Sequence, residues 1–140
     1  MTKTRGMGML AVWCDIPETV ENEFNRWYNE EHVFERLSVP GVLSAARYES
    51  VVSGPKHLAV YELESPDVLK SDEYLNLRNN PSDWSKRMSP EVIGTTFIRN
   101  IYQQIFPEHA DDKTLISPLA EALQIGRMDI PMELEDEWNH

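Results

Sequence analysis

Four stretches of the chain have the apolar alternation of strands, and two stretches carry apolar residues at helical spacing. The predicted strands cover residues 9–16, 42–52, 57–64 and 95–106, and the predicted helices cover 17–37 and 65–88 with a break at Asn80–Pro81. This order is β-α-β-β-α-β, the split βαβ arrangement of a ferredoxin-like α+β fold with an antiparallel sheet. Because both helices would cover the same face of that sheet, its other face must be buried by something else or be exposed.

The first predicted strand is apolar on both of its faces. One face carries Leu10, Val12, Cys14 and Ile16, and the other carries Met9, Ala11, Trp13 and Asp15. Successive side chains of a strand point to opposite sides, so this pattern indicates a strand that is covered on both sides.

The first helix has an apolar stripe that becomes polar toward its C-terminal end. At 100° per residue the stripe contains Val20, Phe24, Trp27 and Phe34. Glu31 falls in the middle of this stripe, with Tyr28 and Glu35 at its edge and His32 just beyond.

A carboxylate on a buried stripe needs a partner, since an unpaired buried charge is costly. Glu31 therefore either reaches the surface, where it pairs with a cation such as Arg36 or Arg47, or lies in the wall of a polar pocket. In the second interpretation His32 is the proton-transfer group, because an ordinary histidine pKa of about 6.5 serves both acid and base steps near neutrality. Glu31 or Glu35 would then tune the histidine.

The composition excludes several classes of partner. The chain has 140 residues, 41% of them hydrophobic, which is enough for one domain with a core. Its net charge of −11 opposes binding to nucleic acid and to anionic membrane surfaces. No stretch approaches the ~20 apolar residues of a membrane span. The single cysteine, Cys14, excludes an internal disulfide and fits a reducing, cytoplasmic compartment, where we expect it to be a packed core thiol.

The C-terminal part resembles the beginning of the chain. Residues 129–139 repeat the Asp-Ile-Pro start, the acidic positions and the apolar spacing of residues 15–25, and residues 123–130 echo the first strand. Chance similarity over a dozen residues is the alternative. We therefore divide the chain into a domain at 1–106, a linker at 107–121, and, at 122–140, the start of a second repeat or an extension for a dimer contact.

A short motif connects these observations to a known family. Trp27 to His32 (WYNEEH), followed by Pro40–Gly41 and by Ala46 to Tyr48 (ARY), resembles the EthD-like branch of the dimeric α+β barrel superfamily. The resemblance covers residues 8–106, and the tail resembles the tandem-repeat members. It implies two ferredoxin-like sheets packed face to face, from two chains as a homodimer or from two repeats, with a cavity between their helix-free faces.

The resemblance also implies a small-molecule site, in which His32 matches the motif histidine. Its members include isomerases, monooxygenases and hydrolytic enzymes, so we expect an enzyme of isomerase, lactone-hydrolysing or cofactor-free oxygenase type with His32 and Glu31 as catalytic residues. In such a barrel Trp13 would point into the cavity, and strand alternation would place Arg47 and Tyr61 beside it, with Tyr28 as a further ligand-binding residue. An aromatic wall with one arginine would suit a planar organic acid or aromatic breakdown product.

Other interpretations of these residues remain open at this level. Trp13 and Tyr61 could simply pack in a dimer core, and the protein could bind a ligand without catalysis. Relatives that handle haem or quinols suggest a third possibility, although the chain shows no convincing axial-ligand pattern. The sequence has no spacing typical of a closed zinc site and no glycine-rich phosphate loop, so we expect no metal and no cofactor.

Overall fold

The computed structural model describes residues 6–106, 125–127 and 129. Its elements follow the predicted β-α-β-β-α-β order, with additional short helical turns. The strands are β1 (Gly8–Asp15), β2 (Val42–Glu49), β3 (His57–Leu63) and β4 (Thr96–Gln103). The helices are α1 (Glu21–Trp27), α2 (Val33–Leu37), α3 (Asp72–Asn79), α4 (Asp83–Met88) and α5 (Pro90–Ile93), together with 3-10 turns at Glu18–Val20 and Pro66–Lys70.

The four strands form one antiparallel sheet in the order β2-β3-β1-β4. Trp13 of β1 lies opposite Leu58 of β3 and Ile98 of β4, and its neighbour Val12 lies opposite Ala59. Side chains at paired positions point to the same face, so this register sorts the apolar residues into two clusters, one on each side of the sheet. The α+β ferredoxin-like prediction is confirmed.

The larger cluster lies between the sheet and the helices. Phe24, Trp27 and Tyr28 are almost completely buried against Leu10 and Val12. Cys14, Ala59, Tyr61 and Leu63 join them from the sheet. The face of β1 that the sequence assigned to the helices is therefore the correct one. Full burial of such large side chains gives this layer most of its hydrophobic stabilisation.

The smaller cluster lies on the helix-free face of the sheet. Ala11, Trp13, Leu58 and Val60 are all buried there within a single chain. Ile125 packs against this cluster. The prediction that β1 is covered on both sides is thus confirmed, and residues from the C-terminal part of the same chain contribute to the cover.

The first helix departs from the predicted stripe after Trp27. The segment Tyr28–His32 is a π turn, in which the N–H of Val33 donates to the carbonyl of Tyr28, five residues back. One extra residue in a turn rotates the following side chains by about 100°. Phe34, predicted to be buried, is therefore 63% exposed. The prediction for Phe34 is wrong for this reason.

Several element boundaries also differ from the prediction. β2 ends at Glu49 and not at 52, because Val51 and Val52 belong to the exposed hairpin that leads to β3. β4 ends at Gln103, and the short helix α5 was not predicted. Within the described ranges no helix is long and apolar enough to cross a membrane. The proposed linker at 107–121 lies outside the described residues, and so does most of the proposed second repeat.

Candidate functional site

The main helix-side cavity lies between the end of the first helix and the helices α3 to α5. It has a volume of about 310 Å³ and is lined by both apolar and charged side chains. Trp27, His32, Glu35 and Arg36 line it from the first helix, and Leu77, Arg78 and Ser85 are among the residues that line it from the opposite side. A narrower cavity of about 60 Å³ lies next to it on the side of the sheet, and His32 lines that one as well.

The His32 ring is held in place by aromatic neighbours. It stacks on Trp27 with 4.4 Å between the ring centroids and meets Tyr28 edge to face at 4.9 Å. Burial, and secondarily the positive charge of Arg36, lowers the pKa of His32 to about 3. The imidazole is therefore neutral at physiological pH, and no described residue makes a hydrogen bond to its ring nitrogens.

The two carboxylates that the sequence placed near His32 have different surroundings. Glu31 Oε2 accepts hydrogen bonds from Ser82 Oγ at 2.9 Å and Ser85 Oγ at 3.3 Å, and Glu31 does not line either cavity. Glu35 lines the main cavity, and its Oε1 atom is buried without a hydrogen-bond partner. Burial and the nearby Glu31 raise the pKa of Glu35, against the opposing charge of Arg36. Glu35 therefore fits a proton-exchanging role better than Glu31.

Tyr28 and Tyr61 meet at the narrower cavity. The Tyr61 hydroxyl donates to the Tyr28 hydroxyl at 3.4 Å, and both residues line the cavity wall. Burial raises the pKa of Tyr28 to about 12 and that of Tyr61 well above its usual value, so both phenols stay protonated. The structure brings these two predicted ligand-binding residues together with His32.

Arg47 does not line either helix-side cavity. Its guanidinium donates to Asn29 Oδ1 and to Asn25 Oδ1, both at 2.8 Å, and lies over the Tyr28 ring at 4.6 Å. Its Nη2 atom is also 3.4 Å from Nδ1 of His57. Arg47 thus connects β2 to the first helix, and two of its donor nitrogens are already engaged by asparagine side chains. The expectation that it shares a cavity with Trp13 is wrong.

Trp13 lies on the opposite face of the sheet from His32. It lines a separate cavity of about 550 Å³ with Tyr48, Leu58, Ile125 and the hairpin between β2 and β3. The Arg127 guanidinium lies over the Trp13 ring at 4.9 Å. Tyr61 points to the helix side because it follows Val60 in β3, and Val60 shares the helix-free face with Trp13. One cavity containing Trp13, Tyr61 and His32, as the sequence suggested, is therefore ruled out by strand alternation.

The sequence did not predict the group of arginines that lines the helix-side site. Arg36, Tyr74, Arg78 and Arg99 all line the narrower cavity, yet they come from α2, α3 and β4. No local motif joins these positions, and only the tertiary fold brings them together.

Cys14 is a buried free thiol in the core between sheet and helices. Burial raises its pKa to about 11, although the charge of Arg47 opposes the shift. Such a thiol is a weak nucleophile. Among the described residues, no group of three or more His, Cys, Asp or Glu side chains could hold a metal ion.

The fold is similar to that of known structures, although the sequences are distant. An EthD family protein from Bacillus halodurans is 15% identical, with a TM-score of 0.50 over 71% of this chain and 99% of that one. A dimeric ferredoxin-like protein from an uncultured marine organism is 14% identical, with a TM-score of 0.51 over 70% of this chain and 85% of that one.

A Caulobacter crescentus protein, provisionally described as an antibiotic biosynthesis monooxygenase, is 14% identical, with a TM-score of 0.52 over 74% of this chain and 93% of that one. No family model matches the sequence, and no curated protein matches it significantly. The chain therefore has the ferredoxin-like fold found in dimeric α+β barrel proteins, EthD-like ones included.

Proposed function

We propose that this protein is an enzyme that binds a small organic acid or an aromatic breakdown intermediate in the helix-side cavity, with His32 as the proton-transfer group. The observation that supports this most directly is the position of His32, which lines both the main cavity and the narrower cavity. The stacked ring of Trp27 fixes the orientation of the His32 ring. A fixed, neutral imidazole beside a mixed apolar and polar cavity suits acid–base chemistry on a bound molecule.

The electrostatics suggest how the proton transfer would work. A pKa of about 3 makes His32 a weak base. A negatively charged ligand would raise this pKa toward neutrality, since an opposite charge within a few ångströms stabilises the imidazolium. Glu35, with its raised pKa and its unpartnered oxygen, is the second proton-exchanging group in the cavity. This pair fits an isomerase, a lactone-hydrolysing enzyme or a cofactor-free oxygenase, all of which move a proton next to a carbonyl.

The proposal is tested with His32→Gln and with a matched histidine variant, His57→Gln. His57 lines neither helix-side cavity, so its variant controls for the loss of a buried histidine. On lactones, enol-lactones and aromatic acids as candidate substrates, kcat/KM should fall by about 10²–10⁴ in His32→Gln. It should change little in His57→Gln, provided that circular dichroism shows both variants folded. An unchanged kcat/KM in His32→Gln would remove His32 from the mechanism.

The alternative is a binding or accessory protein without turnover. The low pKa of His32 favours it, because a histidine that remains unprotonated down to about pH 3 supplies no proton in the free protein. This alternative predicts that a ligand raises Tm while no product forms, and that affinity is the same in the wild type and in His32→Gln.

A second copy of the chain is the proposed protein partner, through the helix-free face. Ala11, Trp13, Leu58 and Val60 form an apolar cluster on that face, and an apolar sheet face suits burial against a like sheet. Because Ile125 already packs on the cluster in one chain, residues 125–127 would have to move aside or become part of the interface. Sedimentation equilibrium of the full chain should give the mass of two copies, and a strictly monomeric mass would contradict the homodimer.

We place the protein in the cytoplasm, where a reducing environment suits the buried free thiol of Cys14. Cell fractionation would test this location directly.

A further inference from the structure

Three arginines from three different elements converge on one buried tyrosine. Arg99 Nη2 donates to the Tyr74 hydroxyl at 2.8 Å, and Arg78 Nη1 donates to the same oxygen at 3.4 Å. The Arg36 guanidinium lies over the Tyr74 ring, 5.5 Å from its centroid. All four side chains line the narrower cavity beside His32.

The positive charge at this point is only partly compensated. Arg78 pairs with Glu91 Oε1 at 3.4 Å, whereas no carboxylate among the described residues makes an ion pair with Arg36 or Arg99. Glu35 is close enough to Arg36 for their charges to interact, but it does not line the narrower cavity. In a chain with a net charge of −11, a cavity wall with three arginines and one paired glutamate is a local excess of positive charge.

The Tyr74 hydroxyl has its hydrogen available for a ligand. Its oxygen accepts from Arg78 and Arg99, and it donates to no described residue. Burial would raise the pKa of Tyr74, but the hydrogen bond from Arg78 and the charge of Arg99 outweigh it and lower the pKa below its usual value. A more acidic phenol is a better hydrogen-bond donor to an anion.

We propose that these groups form a subsite for the carboxylate of the ligand, with Arg36 and Arg99 as charged donors and Tyr74 as a hydroxyl donor. The two cavities share His32, Arg36 and Arg78 as lining residues, so a carboxylate at Tyr74 leaves the organic part in the larger cavity beside His32. This inference rests on the proposed function for the identity of the cavity, and it adds the groups that would bind the carboxylate of the ligand. Arg36 and Arg99 take the carboxylate-binding role that the sequence suggested for Arg47, because the guanidinium of Arg47 already donates to Asn25 and Asn29.

The experiment compares a probe pair that differs in charge and little in shape: benzoate and benzamide. Binding to the full-length protein is measured by isothermal titration calorimetry at pH 7, where benzoate is anionic and benzamide is neutral. We expect benzoate to bind at least about tenfold more tightly, because a charge-assisted hydrogen bond is about twice as strong as a neutral one. Equal affinities for the two probes, or no binding of either, would overturn the carboxylate subsite.

Variants then show which arginines cause the preference for benzoate over benzamide. In Arg36→Gln the preference should fall to about threefold or less, and Arg36→Lys should restore part of it. Arg26→Gln is the matched control, since Arg26 lies in the preceding helix α1, pairs with Glu30 at the surface and lines neither cavity. A preference that persists in Arg36→Gln and in Arg99→Gln would also overturn the subsite.

The outcome is separable from that of the proposed function. His32→Gln removes the proton-transfer group and should leave the benzoate preference intact, whether or not the wild type turns over a substrate. Failure of catalysis with an intact preference would reject the enzyme and keep the subsite, whereas turnover without any charge preference would do the reverse.

Discussion

Acidification from pH 7 to pH 5 should destabilise the protein through His32, and the structure gives the size of the effect. In the unfolded chain the histidine has its ordinary pKa of about 6.5. In the folded protein burial and Arg36 lower this pKa to about 3. Between these values the unfolded state binds a proton that the folded state does not, so stability rises with pH across this window.

The magnitude follows from the proton uptake of the unfolded chain. Integrating from pH 7 to pH 5 with these two pKa values gives a loss of about 2 kcal/mol. This figure is an upper value, because His32 keeps partial contact with solvent. Above pH 7 His32 contributes almost nothing to the pH dependence of stability, since the histidine is neutral in both the folded and the unfolded state.

Urea unfolding of the wild type and of His32→Gln at pH 7 and pH 5 measures this term. The lowered pKa of His57 adds a loss of stability on acidification, and the raised pKa of Glu35 opposes it. Both groups are present in both proteins, so the difference between the two pH dependences isolates His32. The wild type should lose about 2 kcal/mol more than His32→Gln. Identical pH dependences in the two proteins would refute the assignment of a lowered pKa to His32.

Three further substitutions test the packing around the site by urea unfolding at pH 7. Ser85→Ala removes the acceptor at 3.1 Å from Trp27 Nε1, and the unsatisfied indole should cost about 1–3 kcal/mol. Gly41→Ala should cost at least about 1 kcal/mol, because φ is +94° and the added Cβ would lie 2.6 Å from Val68 Cγ2. Phe34→Gln should change stability by less than about 0.5 kcal/mol, since Phe34 is exposed beyond the π turn. A neutral Ser85→Ala or Gly41→Ala, or a costly Phe34→Gln, would contradict this packing.

Strand positions could be predicted from the sequence because a strand's pattern depends on its own residues. Leu10 and Val12 alternate with Ala11 and Trp13, and the structure places the two pairs in the two different clusters. The residues that cover each face of the sheet come instead from distant parts of the chain. The contact of Ile125 with the cluster around Trp13 could not be predicted from the alternation of β1.

The basic subsite could not be predicted for a related reason. Arg36, Arg78 and Arg99 are spread over more than 60 positions of the chain, and each lies in a segment that otherwise has an ordinary surface pattern. Strand alternation indicated Arg47 instead, as a residue that would line the same cavity as Trp13. In the structure, Asn25 and Asn29 occupy its donors. Recognising an anion site therefore requires knowing which guanidinium groups lack partners, and that information comes only from tertiary contacts.

The π turn explains why His32 lines the helix-side cavities although the predicted stripe placed it beyond the buried edge. In a regular α-helix, Glu31 and Phe34 continue the buried stripe of Phe24 and Trp27, and His32 lies beyond its edge. The extra residue of the π turn rotates that stripe, so His32 takes the inward position and stacks on Trp27, while Glu31 turns to the hydroxyls of α4 and its N-cap, Ser82. A carboxylate that would be costly to bury is thus moved to polar partners, and a group that can be buried neutral takes its place. This exchange also positions the proposed proton-transfer group.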